Sequence, residues 1–193
     1  MSDDVLNVLG IAGSLRRDSY NRKLLEAARQ LAPDDLSITI FDLHDVPLYD
    51  RDVEGEGDPP GVTALKSAIR EADAVLIATP EYQHSLPGVL KNALDWASRP
   101  PSDPPLRHKP VAIVGATPGR YGTARAQTDV RKVLAYNAAM VLQRPEVMVS
   151  RAHEAFDDEG RLVDEGAIRF LGEMLTNLAA WTRHVRGWVP PAG

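Results

Sequence analysis

Residues 5–11, 74–78 and 111–114 form three short, nearly unbroken apolar runs, each followed by Gly, Pro, Ser or Thr. A strand with one wet face alternates apolar and polar positions, whereas a continuous run of this length reads as a strand covered on both faces, as in a parallel sheet. Residues 37–41 are a weaker strand candidate, and 140–149 hold a fifth, interrupted by Pro145. Between the runs the apolar spacing changes to three and four. Leu24, Ala28 and Leu31 share one helical face, as do Leu65, Ala68 and Ala72. Val89, Ala93 and Trp96 form a third stripe, and Ala126, Val130 and Val133 a fourth. The clearest is the last: Ile168, Leu171, Leu175, Leu178 and Trp181. About five β–α repeats predict a parallel sheet with helices on both faces, an α/β doubly wound fold. Right-handed crossovers in such a fold place ligands beyond the carboxyl ends of the strands. Residues 45–61 and 99–110, rich in Pro, Gly and charge, read as long loops of one domain spanning 1–193.

Composition narrows the possibilities without naming a chemistry. At 193 residues, 44% hydrophobic and 25% charged, the chain reads as an ordinary globular domain. The net charge of −5 has no basic block to offset it, which argues against nucleic-acid or anionic-membrane partners. The chain has no cysteine, so thiolate nucleophiles, thiolate metal sites and disulfides are excluded. An acidic N-terminus before a short apolar run is the wrong order for a signal peptide, and no run approaches the roughly 18 residues of a membrane span. A cytoplasmic location is expected.

Three loops then carry the candidate chemistry. Gly13-Ser14-Leu15-Arg16-Arg17-Asp18-Ser19-Tyr20-Asn21 joins the first strand to the first helix. Free N–H groups and the positive end of a helix dipole favour an anion there, phosphate above all. The run is neither GxGxxG nor a Walker loop, so the usual dinucleotide and nucleoside-triphosphate fingerprints are absent. Ser14, Ser19 and Asn21 could donate neutral hydrogen bonds and Arg16 a charged one. A plainer reading leaves Ser19 as a helix N-cap and Arg16 solvated. The second loop, residues 79–88 (TPEYQHSLPG), again follows a strand and opens a helix. Tyr82 offers it an aromatic face and a phenol, suited to a flat ring, or else a plug over the loop. The third loop, residues 116–122 (ATPGRYG), has Gly119 and Gly122 for close backbone approach or simply for a turn. All three fall at one predicted sheet edge. The five histidines lack metal-ligand spacing, and no serine lies in a GxSxG elbow. Asp157-Asp158-Glu159-Gly160 reads as a solvated turn, and Glu26 with Arg22 and Arg29 as helix-surface ion pairs.

GSLRRDSYN after the first strand, TPEYQHSLPGVLKNALDWASR in the middle and a Gly-containing loop after the fourth strand resemble the NADPH-dependent FMN reductase family. The resemblance runs from Val5 through the C-terminal helix. It implies a flavodoxin-like three-layer α/β/α sandwich with a five-stranded parallel sheet of order 2-1-3-4-5. It places Ser14, Arg16, Ser19, Tyr20 and Asn21 on an FMN phosphate. Pro80, Glu81, Tyr82, Gln83 and His84 would border the isoalloxazine, with Ala116, Thr117 and Gly119 closing the site. The family motif usually reads PEYN followed by an aromatic; here Gln83 and His84 stand in those two places.

The implied activity is an FMN-dependent NAD(P)H oxidoreductase. Hydride would pass from NADPH or NADH through flavin N5 to a small acceptor (quinone, flavin, azo compound or chromate) by a ping-pong mechanism. No protein nucleophile or metal is needed, and a homodimer or homotetramer is expected. Two alternatives stand beside it: a flavodoxin-type FMN electron carrier without its own NAD(P)H turnover, and a non-catalytic nucleotide- or phosphosugar-binding module.

Overall fold

The computed structural model describes residues 5–188. Its strands are β1 (Leu6–Ala12), β2 (Leu36–Phe41), β3 (Ala74–Ala78), β4 (Pro110–Ala116), β5 (Met140–Val141) and β6 (Val147–Val149). Every pairing is parallel, in the order β2-β1-β3-β4-β5, and β6 also pairs with β4. β5 lies beside the start of β4, with Met140 opposite Pro110. β6 lies beside its end, with Val149 opposite Ala116. The fifth sheet position is therefore one broken strand. Its break contains Pro145, which has no N–H to give to a ladder.

The helices are α1 (Tyr20–Leu31), α2 (Arg51–Glu56), α3 (Pro60–Glu71), α4 (Gly88–Ala97), α5 (Ala124–Tyr136), α6 (Ala152–Ala155) and α7 (Glu165–Arg186). Successive strand residues point to opposite faces, and each face has its own core. Val8, Leu76 and Val114 pack with Leu24 and Leu25 of α1 and with Leu171, Leu175 and Leu178 of α7. Leu9, Val75, Ile77 and Ile113 pack with Leu65 of α3, Leu90 and Trp96 of α4, and Val130 of α5. All five residues of β3 are fully buried, which is why that run shows no polar alternation. The result is the three-layer α/β/α sandwich with the flavodoxin-like strand order.

Two expectations change. Residues 45–61 are not a plain loop, because they contain α2 and the first residues of α3. This segment is clamped to α4: Asn92 Nδ2 and Trp96 Nε1 donate to the Pro47 carbonyl at 2.8 and 2.9 Å. Glu54 of α2 accepts from Tyr49 Oη at 2.8 Å and from Arg99 Nε at 3.0 Å. The buried Lys66 ammonium meets Asp58 at 2.7 Å. Second, Glu26 pairs with Arg29 at 2.8 Å as expected, but Arg22 reaches across to Asp42 at 3.1 Å. Among the described residues, no helix is long and apolar enough to cross a membrane.

Candidate functional site

The first loop continues the sheet before it leaves it. Gly13 N–H donates to the Ala78 carbonyl at 2.8 Å, and a Cβ on Gly13 would stand 3.2 Å from Leu90 and Pro87. Ser14 is thereby held inward, 5% exposed, while Arg16 and Arg17 remain in solvent. Ser19 is the N-cap of α1, and its Oγ accepts from the Asn21 N–H at 3.2 Å. No carboxylate lies in the first turn of α1. A helix start of this kind, following directly on the loop of Ser14 and Arg16, is chemically suited to an anion.

Asn21 is 1% exposed, and its amide makes a reciprocal pair with the Ala116 backbone. Nδ2 donates to the Ala116 carbonyl at 2.8 Å, and Oδ1 accepts from its N–H at 2.9 Å. The side chain lashes the start of α1 to the end of β4. The Tyr20 ring is likewise turned inward, 5.6 Å from the Phe156 ring.

In the second loop Glu81 does structural work. Its carboxylate, 8% exposed, accepts from the Arg125 and Ala126 N–H groups at 2.9 and 3.2 Å and pairs with the Arg125 guanidinium at 3.2 Å. α5 has no side-chain cap from its own N-cap residue, Thr123, so Glu81 supplies one from across the edge. Next to it, Tyr82 and Ser85 exchange backbone hydrogen bonds at 3.0 and 2.9 Å around Gln83 (φ 50) and His84 (φ 62). Two positive φ values inside a two-residue turn mark type I′, a conformation that favours Asn and Gly. Ser85 Oγ pins the turn to Asp129 at 2.7 Å. Hydrogen bonds from Lys132 and then Ser85 hold the Asp129 carboxyl below its ordinary range. Tyr82 emerges 47% exposed, its hydroxyl 3.4 Å from Ser14 Oγ.

The third loop is held through its backbone. Thr117 N–H donates to the Val149 carbonyl at 3.0 Å, and the Thr117 and Gly119 carbonyls accept from Ala152 and Arg151. Gly115 just before it is sterically required. A Cβ there would stand 2.1 Å from Thr123 Oγ1 and 2.5 Å from the Thr79 carbonyl. Sequence reasoning passed over Gly115, Thr123, Arg125 and Asp129. A glycine inside an otherwise apolar strand was the one available signal of close approach.

The three loops thus meet at the carboxyl edge of β1, β3 and β4, with the first and second joined through Ser14 and Tyr82. The NADPH-dependent FMN reductase family model matches residues 6–154. The chain belongs to that family.

Relatives of this FMN reductase family cover nearly the whole chain. An NAD(P)H-dependent FMN reductase of Pseudomonas aeruginosa is 50% identical over 187 residues, 97% of this chain and 100% of the relative. A 2-hydroxy-1,4-benzoquinone reductase of a Burkholderia species is 41% identical, covering 94% of this chain and 98% of its own. Among solved structures, the NAD(P)H:acceptor oxidoreductase FerB of Paracoccus denitrificans superposes with a TM-score of 0.85 at 35% identity, over 93% of this chain and 98% of FerB. A separate groove of about 670 Å³ between β6 and α7, lined by Met148, Phe170 and Glu173, includes none of the sequence-derived site residues.

Proposed function

We propose that this chain is an NAD(P)H-dependent FMN reductase whose acceptors are quinones. The observation that carries the reading is the Ser14–Tyr82 contact at 3.4 Å. It brings the loop of Ser14 and Arg16 against an exposed aromatic ring, the pairing that a phosphorylated flat cofactor would need. The chemistry of the donor set suits FMN: hydroxyls, guanidinium and helix amides at one end, backbone and an aromatic at the other. Ser14, Arg16 and Ser19, with the Tyr20 N–H, would hold the phosphate. Pro80, Tyr82, Gln83 and His84 would border the ring, and Ala116, Thr117 and Gly119 would close it. Asn21 and Glu81 act by position: the first holds the cradle against the third loop, and the second holds the Tyr82 turn against α5.

When bound, FMN supplies an N5 centre that accepts hydride from reduced nicotinamide and returns it to an acceptor, so ping-pong kinetics are expected. The protein's own residues bind and orient. His84 stands exposed at the tip of the turn, where an aromatic is usual in the family, and on this reading would meet the acceptor. Quinones come first because the similar proteins include quinone reductases; free flavin, azo compounds and chromate are further acceptors to assay. A homodimer or homotetramer belongs to the same reading. Leu48 and Tyr136, 84% and 87% exposed, are surface that association would remove from water. So does a cytoplasmic location, where NAD(P)H is available, and a single domain over 1–193.

The test is the visible spectrum of the purified protein after FMN addition, followed by NADPH oxidation with 1,4-benzoquinone. A bound-flavin spectrum with quinone-dependent turnover is expected. Bound flavin without NADPH or NADH oxidation would turn the assignment to an electron carrier. A colourless protein that takes up no FMN would end the flavin reading.

A further inference from the structure

The third loop carries a feature that the flavin reading does not use. Tyr121 is 60% exposed and has two guanidiniums against its ring: Arg120 Cζ lies 4.8 Å from the ring centroid and Arg125 Cζ 5.2 Å. Arg120 Nη2 donates to Tyr121 Oη at 2.7 Å. Among the described residues, Arg120 has no carboxylate within 4.0 Å, whereas Arg125 is anchored by Glu81. Two like charges on one ring repel, and only one of them is neutralised by a neighbour. The cluster is rich in donors and poor in acceptors: a free guanidinium, the remaining N–H groups of Arg125 and a phenol hydroxyl. A phosphate monoester, with charge near −2 and three acceptor oxygens, is the anion that complements such a set.

Position narrows the source of that phosphate. Arg125 connects the cluster to Glu81, and Glu81 adjoins Tyr82 in the chain, so the cluster is tied to the Tyr82 loop without including Tyr82 itself. In a bound dinucleotide the 2′-phosphate lies at the adenosine end, away from the nicotinamide. A site for it must adjoin the same opening without touching the flavin ring. Arginine is the residue type that accommodates this phosphate in dinucleotide sites.

We propose that Arg120, with the Tyr121 hydroxyl and Arg125, binds the 2′-phosphate of NADPH and makes this chain select NADPH over NADH. The proposal deepens the NAD(P)H reductase reading and rests on it for the identity of the nucleotide. Arg125 positions the cluster through Glu81, and Arg120 supplies the unneutralised charge.

The experiment is calorimetric titration of the protein with adenosine 2′,5′-bisphosphate and with 5′-AMP, probes that need neither turnover nor flavin. The parent should bind the bisphosphate about tenfold or more tightly than 5′-AMP, in line with a charge-assisted bidentate contact. Arg120→Ala should bring the two affinities within about threefold, and Arg120→Lys should fall between, keeping the charge but losing the planar fork. In steady-state assays Arg120→Ala should raise the KM for NADPH about tenfold and shift that for NADH by less than about twofold. Equal binding of the two nucleotides by the parent, or full discrimination retained by Arg120→Ala, overturns the proposal. Weakened binding of an anionic hydroxyquinone with unchanged bisphosphate affinity also overturns it, assigning the cluster to the acceptor. A protein that takes up no FMN yet discriminates the nucleotides would sink the flavin reading and leave this one standing.

Discussion

Asn21→Ala distinguishes a residue that touches the cofactor from one that holds the cradle in place. Asn21 and Ala116 are both 1% exposed, and the amide makes two good hydrogen bonds with the Ala116 backbone, at 2.8 and 2.9 Å. Truncation leaves a buried N–H and a buried carbonyl without partners, each costing about 1–3 kcal/mol. A water entering the vacated space would return part of that. Alanine at the second position of α1 also gains about 0.5 kcal/mol of helix propensity over asparagine. The net expectation is a loss of about 2–4 kcal/mol, a large fraction of the roughly 5–15 kcal/mol that holds a domain folded. Urea unfolding followed by circular dichroism should show a lower midpoint with an unchanged slope. Flavin affinity, measured at low urea by fluorescence quenching, should fall only modestly. If stability moves by less than about 0.5 kcal/mol while FMN affinity drops by more than about tenfold, the positioning role is wrong and the amide contacts the phosphate directly.

Three further outcomes follow from the same geometry. The double substitution Ser14→Ala, Arg16→Ala should weaken FMN binding by about tenfold or more, since it removes a neutral and a charge-assisted donor; an unchanged fluorescence titration would refute the phosphate cradle. Gly115→Ala drives a Cβ to 2.1 Å from Thr123 Oγ1 and 2.5 Å from the Thr79 carbonyl, so it should cost about 1–3 kcal/mol and disturb two site loops together; thermal melting checks the first effect and flavin titration the second. On acidification, partial burial pushes the Asp42 carboxyl up, but hydrogen bonds from His44 and Arg22 outweigh this and hold it at about 2. A folded value below the unfolded one of about 3.9 stabilises the fold above about pH 4, and that contribution disappears as the pH falls toward 2; Asp42→Asn should flatten this part of the urea-midpoint profile, by a small amount because the pair is half exposed.

The parts of the fold legible in sequence were those whose stabilisation is local or periodic. β3 could be read because all its residues are buried, and α7 because its apolar stripe repeats over many turns. α2 could not, since none of its residues is buried and it therefore leaves no apolar period. What holds that segment is long-range: Pro47 on Asn92 and Trp96, and Glu54 on Arg99. The short α6 has too few residues to show a period at all. At the site, the convergence of three loops was legible from strand ends. The division of labour within them was not. Ser14 and Asn21 read alike as small polar donors, and only the fold shows that the Asn21 partner is Ala116.

Gln83 and His84 show how this site accommodates sequence change. Both are held at positive φ without being glycine, a conformation that costs about 1–2 kcal/mol per residue for most side chains. Asparagine, usual at the first of these positions in the family, tolerates that region better than glutamine. The turn persists because it is fixed from both sides: the Tyr82–Ser85 backbone pair closes it, Ser85 ties it to Asp129, and Glu81 ties its base to the start of α5. None of these contacts uses the side chain of residue 83 or 84. The backbone of the turn is therefore specified independently of the two residues at its tip. These can vary in size and charge without moving Tyr82 or the Ser14 it touches. On the proposed reading these two residues meet the acceptor, so changes at the tip would alter which acceptor is reduced and leave the turn in place.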